Sequence, residues 1–328
     1  MLILMNKLNL TYLIFIMNLF FLLMNSSSTY IQWLSMEFST IILISMINIK
    51  SMNKIISILY FMISSISSLI TIMIISFNFT QLFIFKNPDI NLMLMMSMFM
   101  KIGVFPFCFW MIFIYNKSSW SQIFIISTFM KFIPIYFFSS IIHLSPIMIM
   151  FLFLNNLFIS LYTNLNFSIK KLFGCSSIFN SLLFILMIYS NKNLFMLFMI
   201  IYFTSFLNLI LILKFYNIKN LNFNNISPNS YYLLISMLFI YASFPLFMTF
   251  MMKWEFIYTL NINFSNNLIF LLMLSSMLML WNYFILFKFM FLKFKFNKMS
   301  KIDITNMSKI SLSSMTIYSL MFMLFNLI

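Results

Sequence analysis

The chain of 328 residues has no arginine and very few charged side chains, since its 19 lysines are accompanied by four acids and one histidine. Charged residues make up 7% of the chain and hydrophobic residues 63%, whereas a soluble domain carries roughly 25% charged residues. No soluble core could hide so much apolar surface, so lipid must be the solvent. The scarcity of charge therefore excludes a soluble globular fold and predicts an integral membrane protein.

Residues that bind cofactors are also scarce. Cys108 and Cys175 lie in apolar sequence and, beside a single histidine, are poor candidates for a disulfide or a metal site. With only two glycines, the chain has no glycine-rich dinucleotide fingerprint. The net charge of +15 does not indicate nucleic-acid binding, because the lysines are scattered singly and form no basic stripe. We therefore expect no metal, haem, iron–sulfur or flavin site in this chain.

The choice of residues indicates a mitochondrial genome. Valine and alanine each occur once, whereas methionine occurs 34 times and phenylalanine 47 times. The rare residues need G or C in their first two codon positions, and the abundant ones can be encoded mostly with A and T. So many methionines are easily reached if ATA is read as methionine, as in mitochondria. We expect no cleaved presequence, because no arginine-rich amphipathic segment precedes the first apolar run.

Long apolar runs fill most of the chain. A helical crossing needs ~20 apolar residues, and the runs lack the period-two alternation of barrel strands. The sequence thus predicts an all-α, polytopic membrane helix bundle that forms a single transmembrane domain over residues 1–328. The eleven predicted spans are Leu8–Met24, Tyr30–Ile49, Ile55–Ile75, Ile90–Met111, Trp120–Phe138, Pro146–Tyr162, Lys171–Tyr189, Leu194–Leu213, Tyr231–Trp254, Leu268–Phe291 and Ile310–Leu327.

Prolines predict that two of these spans are broken helices. Pro134 lies within the fifth span, and Pro245 lies within the ninth, which is too long for one straight crossing. Proline removes a backbone N–H and disrupts the preceding turn, and transporters place ion sites at such discontinuities. By contrast, Gly103 and Pro106 are expected only to shape the end of the fourth span.

The loop lysines predict the orientation of the chain in the membrane. Fourteen fall on one side of the predicted bundle and two, Lys86 and Lys192, on the other. By the positive-inside rule, the lysine-rich side faces the mitochondrial matrix. The N-terminus is then predicted in the matrix and, with an odd number of spans, the C-terminus in the intermembrane space.

Three further lysines and one acid fall inside predicted spans: Lys101, Lys131, Lys253 and Glu37. A cation at the bilayer centre costs ~2.5–3.5 kcal/mol, so such residues are functional candidates by default. Glu37 and Lys101 both fall near mid-membrane. They are predicted to form an intramembrane ion pair that tunes protonation, the alternative being a buried structural pair.

Lys131 and Lys253 are candidate proton carriers. Burial destabilises the charged form of an amine, so a mid-membrane lysine can both take up and release a proton. The alternative for each is a side chain that snorkels to the interface. The central position of Lys131 argues against snorkelling, whereas the two readings of Lys253 are closer because the end of its span is uncertain.

Five segments, in order along the whole chain, resemble subunit 2 of mitochondrial NADH–ubiquinone oxidoreductase (respiratory complex I) in an insect-like form. The most specific is Lys101–Trp110, which resembles K-L-G-x-A-P-F-H-F-W, with Cys108 at the histidine position. The others are Trp33–Ser39 (W-x-G-L-E-x-N), Lys131–Pro134 (Q-K-x-A-P, from a broken helix), Lys171–Ile178 (K-x-L-A-Y-S-S-I) and Ser243–Trp254 (G-x-P-P-x-x-G-F-x-x-K-W).

This resemblance implies a proton-translocating subunit that is similar to cation/proton antiporter subunits. Glu37 and Lys101 would be the coupling ion pair, Lys131 the central proton carrier, and Lys253 the carrier leading to the exit side or the neighbouring subunit. The chain would hold no redox cofactor, with NADH, FMN, iron–sulfur clusters and ubiquinone bound by partner subunits. Its partners would be other membrane-arm subunits and phospholipids.

Two other functions are compatible with the same residues. A stand-alone cation/proton antiporter would use the same buried lysines but should be active when purified alone. A structural scaffold subunit would tolerate neutral replacement of Lys131.

Overall fold

The computed structural model describes residues 7–50, 54–79, 88–142, 145–164, 168–216, 228–245, 247–263 and 266–296. Within these ranges every regular element is an α-helix, which confirms the all-α prediction. The helices are α1 (Lys7–Asn25), α2 (Thr29–Lys50), α3 (Ile55–Phe79), α4 (Pro88–Ile102), α5 (Cys108–Lys117), α6 (Trp120–Ser127), α7 (Phe129–Ile141), α8 (Pro146–Asn164), α9 (Ile169–Ser190), α10 (Lys192–Phe215), α11 (Pro228–Tyr241), α12 (Met248–Asn263) and α13 (Asn266–Phe296).

The helices have the lengths that a bilayer requires. Seven stretches are long and apolar enough to cross a membrane, one of which, Trp120–Ile141, combines α6 and α7. Three shorter apolar helices accompany them in the described part of the chain. Each of the first ten predicted spans corresponds to one helix or to one interrupted pair. The eleventh, Ile310–Leu327, lies outside the described residues, so the total of eleven stays a prediction.

An interruption between α4 and α5 divides the fourth predicted span, which we had expected to be continuous. Gly103 adopts a left-handed conformation with φ of 76°, which glycine tolerates because it has no Cβ. A Cβ at this position would lie 3.0 Å from Cβ of Met111. The prediction of two broken spans was therefore wrong for this segment, because Gly103 and Pro106 produce an internal break rather than the end of a span.

The break in the fifth span lies one turn before Lys131 rather than at Pro134. Helix α6 ends at Thr128, whose φ and ψ of −105° and −86° are not helical, and α7 begins at the next residue. Pro134 itself lies inside α7. The Thr128 hydroxyl donates to the carbonyl of Phe124 at 2.7 Å. That bond occupies a carbonyl at the end of α6, as a helix terminus requires.

The ninth span is broken as predicted, between α11 and α12. Ser243 has φ of 56° in this segment. The Thr249 hydroxyl donates to the carbonyl of Ile240 at 2.6 Å, and the Phe244 N–H donates to the carbonyl of Phe239 at 3.1 Å. These bonds satisfy backbone groups that the broken helix leaves open, as non-helical backbone at membrane depth must be satisfied.

The chain divides into two compact units. The first comprises the described residues up to Asn155 together with Ser177–Tyr189. In this unit α7 packs against α2 and α4, and α3 also packs against α2 and α4. The second comprises Asn156–Ser176 and the described residues from Ser190 onward, and in it α10 packs against both α11 and α12. The single transmembrane domain over residues 1–328 stays a prediction.

Candidate functional site

Glu37 and Lys101, which are 64 residues apart in sequence, form an ion pair in the first unit. The Lys101 Nζ donates to Glu37 Oε1 at 2.5 Å. The Lys101 side chain is completely buried, whereas 19% of the Glu37 side chain remains exposed. The structure thus brings together the two charges that the sequence predicted to pair.

Lys101 lies in the last turn of α4, immediately before the break. A helix C-terminus carries partial negative charge and favours a cation there. Beyond it, the N–H groups of Gly103 and Val104 both donate to the carbonyl of Phe99, at 2.9 and 3.0 Å. These bonds complete the end of α4, so the helix turn that carries Lys101 has a defined end.

Asn155 of α8 supports the same break from a distant part of the chain. Its side chain is completely buried, and its Oδ1 accepts a hydrogen bond from the N–H of Phe105 at 2.9 Å. A buried backbone N–H without an acceptor costs free energy, so this amide stabilises the non-helical segment next to Lys101. Sequence reasoning missed Asn155, and nothing in the local sequence signals its role.

Lys131 is fully buried in the first turn of α7. Its backbone N–H donates to the carbonyl of Thr128 at 3.0 Å, and the N–H of Phe132 donates to the same carbonyl at 2.9 Å. The amine does not reach the surface of the described chain, which argues against snorkelling. A helix N-terminus carries partial positive charge that opposes an ammonium, so Lys131 and Lys101 occupy opposite kinds of helix terminus.

The helices that carry these three groups pack against one another. Helix α7, with Lys131, contacts α2, with Glu37, and α4, with Lys101. Charges on packed helices are only weakly screened by solvent, so a change at one of them alters the potential at the others. The first unit therefore carries one acid and two lysines on packed helices.

Lys253 lies in the second unit, on α12 just after the break. Its Nζ donates to the hydroxyl oxygen of Ser243 at 2.6 Å, and the Ser243 hydroxyl donates in turn to the carbonyl of Ala242 at 2.6 Å. Lys253 is half-buried, whereas Ser243 is buried. The amine is thus directed back toward the broken backbone. Sequence reasoning noted Ser243 only as one residue of a matching segment.

A buried group of hydroxyls lies at the end of α11 in the second unit. The hydroxyl of Tyr241 is 3.0 Å from the Ser176 hydroxyl and 3.3 Å from that of Tyr202. Its ring stacks on Phe206 with centroids 4.9 Å apart and meets Phe173 edge-on at 5.5 Å. The sequence did not predict this group of three hydroxyls, which contacts the last residue of α11 before the break.

Cys108, the first residue of α5, is buried. A thiol at this position offers only a weak donor and a weak acceptor, so it cannot supply the two nitrogen sites of an imidazole. Among the described residues, no group of three histidine, cysteine, aspartate or glutamate side chains could hold a metal ion. The expectation that this chain binds no cofactor stays a prediction.

Comparison with known proteins shows a relative of high similarity and solved structures of similar fold. The chain is 42% identical over 293 residues to NADH-ubiquinone oxidoreductase chain 2 of Apis mellifera ligustica, covering 89% of this chain and 88% of the relative. No protein-family sequence model matches the chain.

The two structures show that the fold occurs in respiratory membrane complexes. A chain of respiratory complex I from Thermus thermophilus with bound aureothin superposes with a TM-score of 0.75 at 11% identity, covering 94% of this chain and 76% of that one. A chain of the archaeal membrane-bound sulfane sulfur reductase superposes with a TM-score of 0.78 at 15% identity, covering 94% and 71%. At such low identity these likenesses concern the fold alone.

Proposed function

The chain belongs to the NADH-ubiquinone oxidoreductase chain 2 family, and from this premise we propose that Glu37, Lys101, Lys131 and Lys253 carry its proton translocation. It is a multi-pass subunit of a respiratory complex in the mitochondrial inner membrane. Electron transfer in partner subunits drives the proton movement. The observation that supports this proposal most is the packing of α7 against both helices of the buried Glu37–Lys101 pair.

The first step of the proposed mechanism is electrostatic. A charge change that arrives from a neighbouring subunit acts on Glu37, the less buried partner, and separates it from Lys101. Lys101 then carries an uncompensated positive charge inside the bundle. Because α4 packs on α7, this charge repels a proton held by Lys131, and the repulsion is strong where water does not screen it.

In the second step the proton leaves Lys131 and moves on toward Lys253, which passes it to the exit side or to the neighbouring subunit. One bond from nitrogen to hydrogen breaks at the donor and another forms at the acceptor, so each lysine alternates between ammonium and amine. Moving each charge across the membrane works against ~2.3 kcal/mol per 100 mV. The free energy must come from the redox reaction in the partner subunits.

Large apolar side chains on the surface support the proposed setting of lipid and membrane-arm subunits. Phe61, Met93, Phe270 and Met277 are more than half exposed, which only hydrocarbon or a neighbouring protein could cover favourably. We place NADH, FMN, the iron–sulfur clusters and ubiquinone in partner subunits. We also place the N-terminus in the matrix and the C-terminus in the intermembrane space. Protease protection in intact mitoplasts tests this orientation, which fails if the C-terminus is protected from attack from outside.

Replacement of Lys131 by methionine tests the proposal. Methionine keeps the length and the packing but removes the titratable amine, so the complex should assemble. We expect proton translocation to fail or to fall strongly. The measurement follows quinone reduction and proton translocation together in the assembled, reconstituted complex.

A matched control is Lys117→Met, which removes an exposed lysine that lies over the Phe113 ring at 4.3 Å. This variant should pump normally. A normal proton-to-electron yield in the Lys131 variant would contradict the proposal and favour the scaffold function. Activity of the isolated chain in vesicles would instead favour a stand-alone antiporter.

A further inference from the structure

We propose that Ser243 is a positioning residue for Lys253, whose hydroxyl holds the lysine amine in both of its protonation states. The inference rests on the proposed function of Lys253 as a proton carrier. It adds a residue that is not itself titratable at neutral pH and that lies in the break between α11 and α12.

The contact between the two side chains is direct. Lys253 Nζ and Ser243 Oγ are 2.6 Å apart, a distance typical of a strong hydrogen bond with a charged donor. The Ser243 hydroxyl is itself oriented, because it donates to the Ala242 carbonyl at 2.6 Å. Nitrogen, hydroxyl and carbonyl therefore form a continuous hydrogen-bonded chain from the lysine to the broken backbone.

The backbone of Ser243 is strained for the residue that occupies it. Its φ of 56° lies in the left-handed region, where a side chain other than glycine brings Cβ too close to the following carbonyl oxygen. Serine is less stable than glycine in this conformation, but it provides a hydroxyl that glycine lacks. Strain of this kind persists where the surroundings impose it and is concentrated at functional sites.

A hydroxyl suits both states of a lysine that gains and loses a proton. An ammonium only donates hydrogen bonds. The serine oxygen accepts one of them while the serine hydroxyl continues to donate to the Ala242 carbonyl. A neutral amine has a lone pair, and the hydroxyl can rotate to donate to it. No covalent bond of Ser243 changes in this exchange, which distinguishes a positioning residue from a proton carrier.

Two substitutions separate the hydroxyl from the backbone strain. Ser243→Ala removes the hydroxyl and keeps the strain, whereas Ser243→Gly removes both. Their effects on the thermal stability of the assembled complex should therefore differ, with the glycine variant the more stable. Both should lower the rate of proton translocation by about tenfold or more. The free energy of a hydrogen bond to a charged group corresponds to a factor of about that size.

The experiment compares these variants with Lys253→Met and with a control in the assembled, reconstituted complex. The control is Ser205→Ala, which removes a buried serine hydroxyl that donates to the Tyr202 carbonyl at 3.0 Å. The readouts are the proton-to-electron yield, the rate of translocation and the temperature at which the complex loses activity. We expect the control to pump normally.

The outcomes distinguish this inference from the proposed function. Loss of pumping in both Ser243 variants, with the glycine variant as stable as the native complex or more so, supports the positioning role. Normal pumping in both, while Lys253→Met is impaired, overturns the inference and leaves the function of Lys253 intact. Normal pumping in Lys253→Met overturns the proposed role of Lys253 and the inference with it.

Discussion

Lys101 donates a hydrogen bond to Glu37 across 2.5 Å, and the two partners differ in their access to the surroundings. The lysine is wholly enclosed, while about a fifth of the glutamate side chain is exposed. In the proposed mechanism, a charge change in a neighbouring subunit therefore acts on Glu37 first. Helix α4, which carries Lys101, packs on α7, which carries Lys131. We propose that this asymmetry gives the two charges different roles in the coupling, with Glu37 receiving the signal and Lys101 passing it on.

Replacing Glu37 with glutamine should impair coupled activity and destabilise the first unit. The change leaves Lys101 buried without its counter-charge, and the loss of one partner of a buried pair costs roughly 3–5 kcal/mol. Thermal inactivation of the assembled complex and its rate of proton translocation measure the two effects. Assembly with a normal pumping rate would show that the pair has no coupling role.

The double variant Glu37→Gln, Lys101→Met separates stability from coupling. With both charges of the pair removed, the stability lost in the single variant should largely return, because a buried pair replaced by neutral groups is often neutral or stabilising. Coupled pumping should not return, since the transmitting charge is gone. Recovery of both properties would indicate a purely structural pair.

Asn155→Leu should destabilise the break between α4 and α5. Leucine has the same branching at Cγ but offers no acceptor to the Phe105 N–H, which bonds to Asn155 in the native chain, and an unsatisfied buried donor costs ~1–3 kcal/mol. Because the break adjoins Lys101, turnover should fall together with thermal stability. The control is Asn193→Leu at an exposed position of α10, where the change should stay within about 0.5 kcal/mol. Equal effects of the two changes would rule out a special role for Asn155.

Much of the fold followed from the sequence, because the free-energy cost of burying polar groups in lipid is a local property of the chain. The lengths of the apolar runs predicted the helices, and the cost of a buried charge singled out Glu37, Lys101 and Lys131. The partners that satisfy backbone groups at the breaks could not be predicted in this way. Asn155 lies 50 residues from the N–H that it satisfies, so only tertiary packing brings the two together.

The breaks themselves were predicted less well than the spans. Pro245 correctly indicated an interruption, because the apolar run that contains it is too long for one straight membrane crossing. Pro134 is instead tolerated inside α7, and the interruption falls at Thr128. Proline removes one hydrogen bond, but the packing of neighbouring helices decides which nearby residue leaves the helical conformation.

Gly103→Ala should lower the stability of the first unit. The left-handed φ of 76° costs a residue with a Cβ ~1–2 kcal/mol. The new methyl group would also approach Cβ of Met111 to 3.0 Å, so α5 would have to shift. Thermal inactivation of the assembled complex should occur at a lower temperature. Unchanged stability and turnover would mean that the segment between α4 and α5 accommodates the added Cβ without loss of folding free energy.

Tyr241→Phe should destabilise the second unit while preserving its aromatic packing. The ring contacts with Phe206 and Phe173 remain, but the hydroxyl contacts with Ser176 and Tyr202 are lost. A buried hydrogen bond contributes about 0.5–1.5 kcal/mol, and this variant removes two hydroxyl contacts. We expect a loss of ~1–2 kcal/mol on that basis, measured as a lower temperature of inactivation. The matched control is Tyr258→Phe at an exposed position of α12. Because Tyr241 contacts two buried hydroxyls and Tyr258 is exposed, the Tyr241 variant should be the less stable of the two. The reverse order would show that the group of three hydroxyls at the end of α11 gives no net stabilisation. The aromatic packing alone would then hold Tyr241 beside the break.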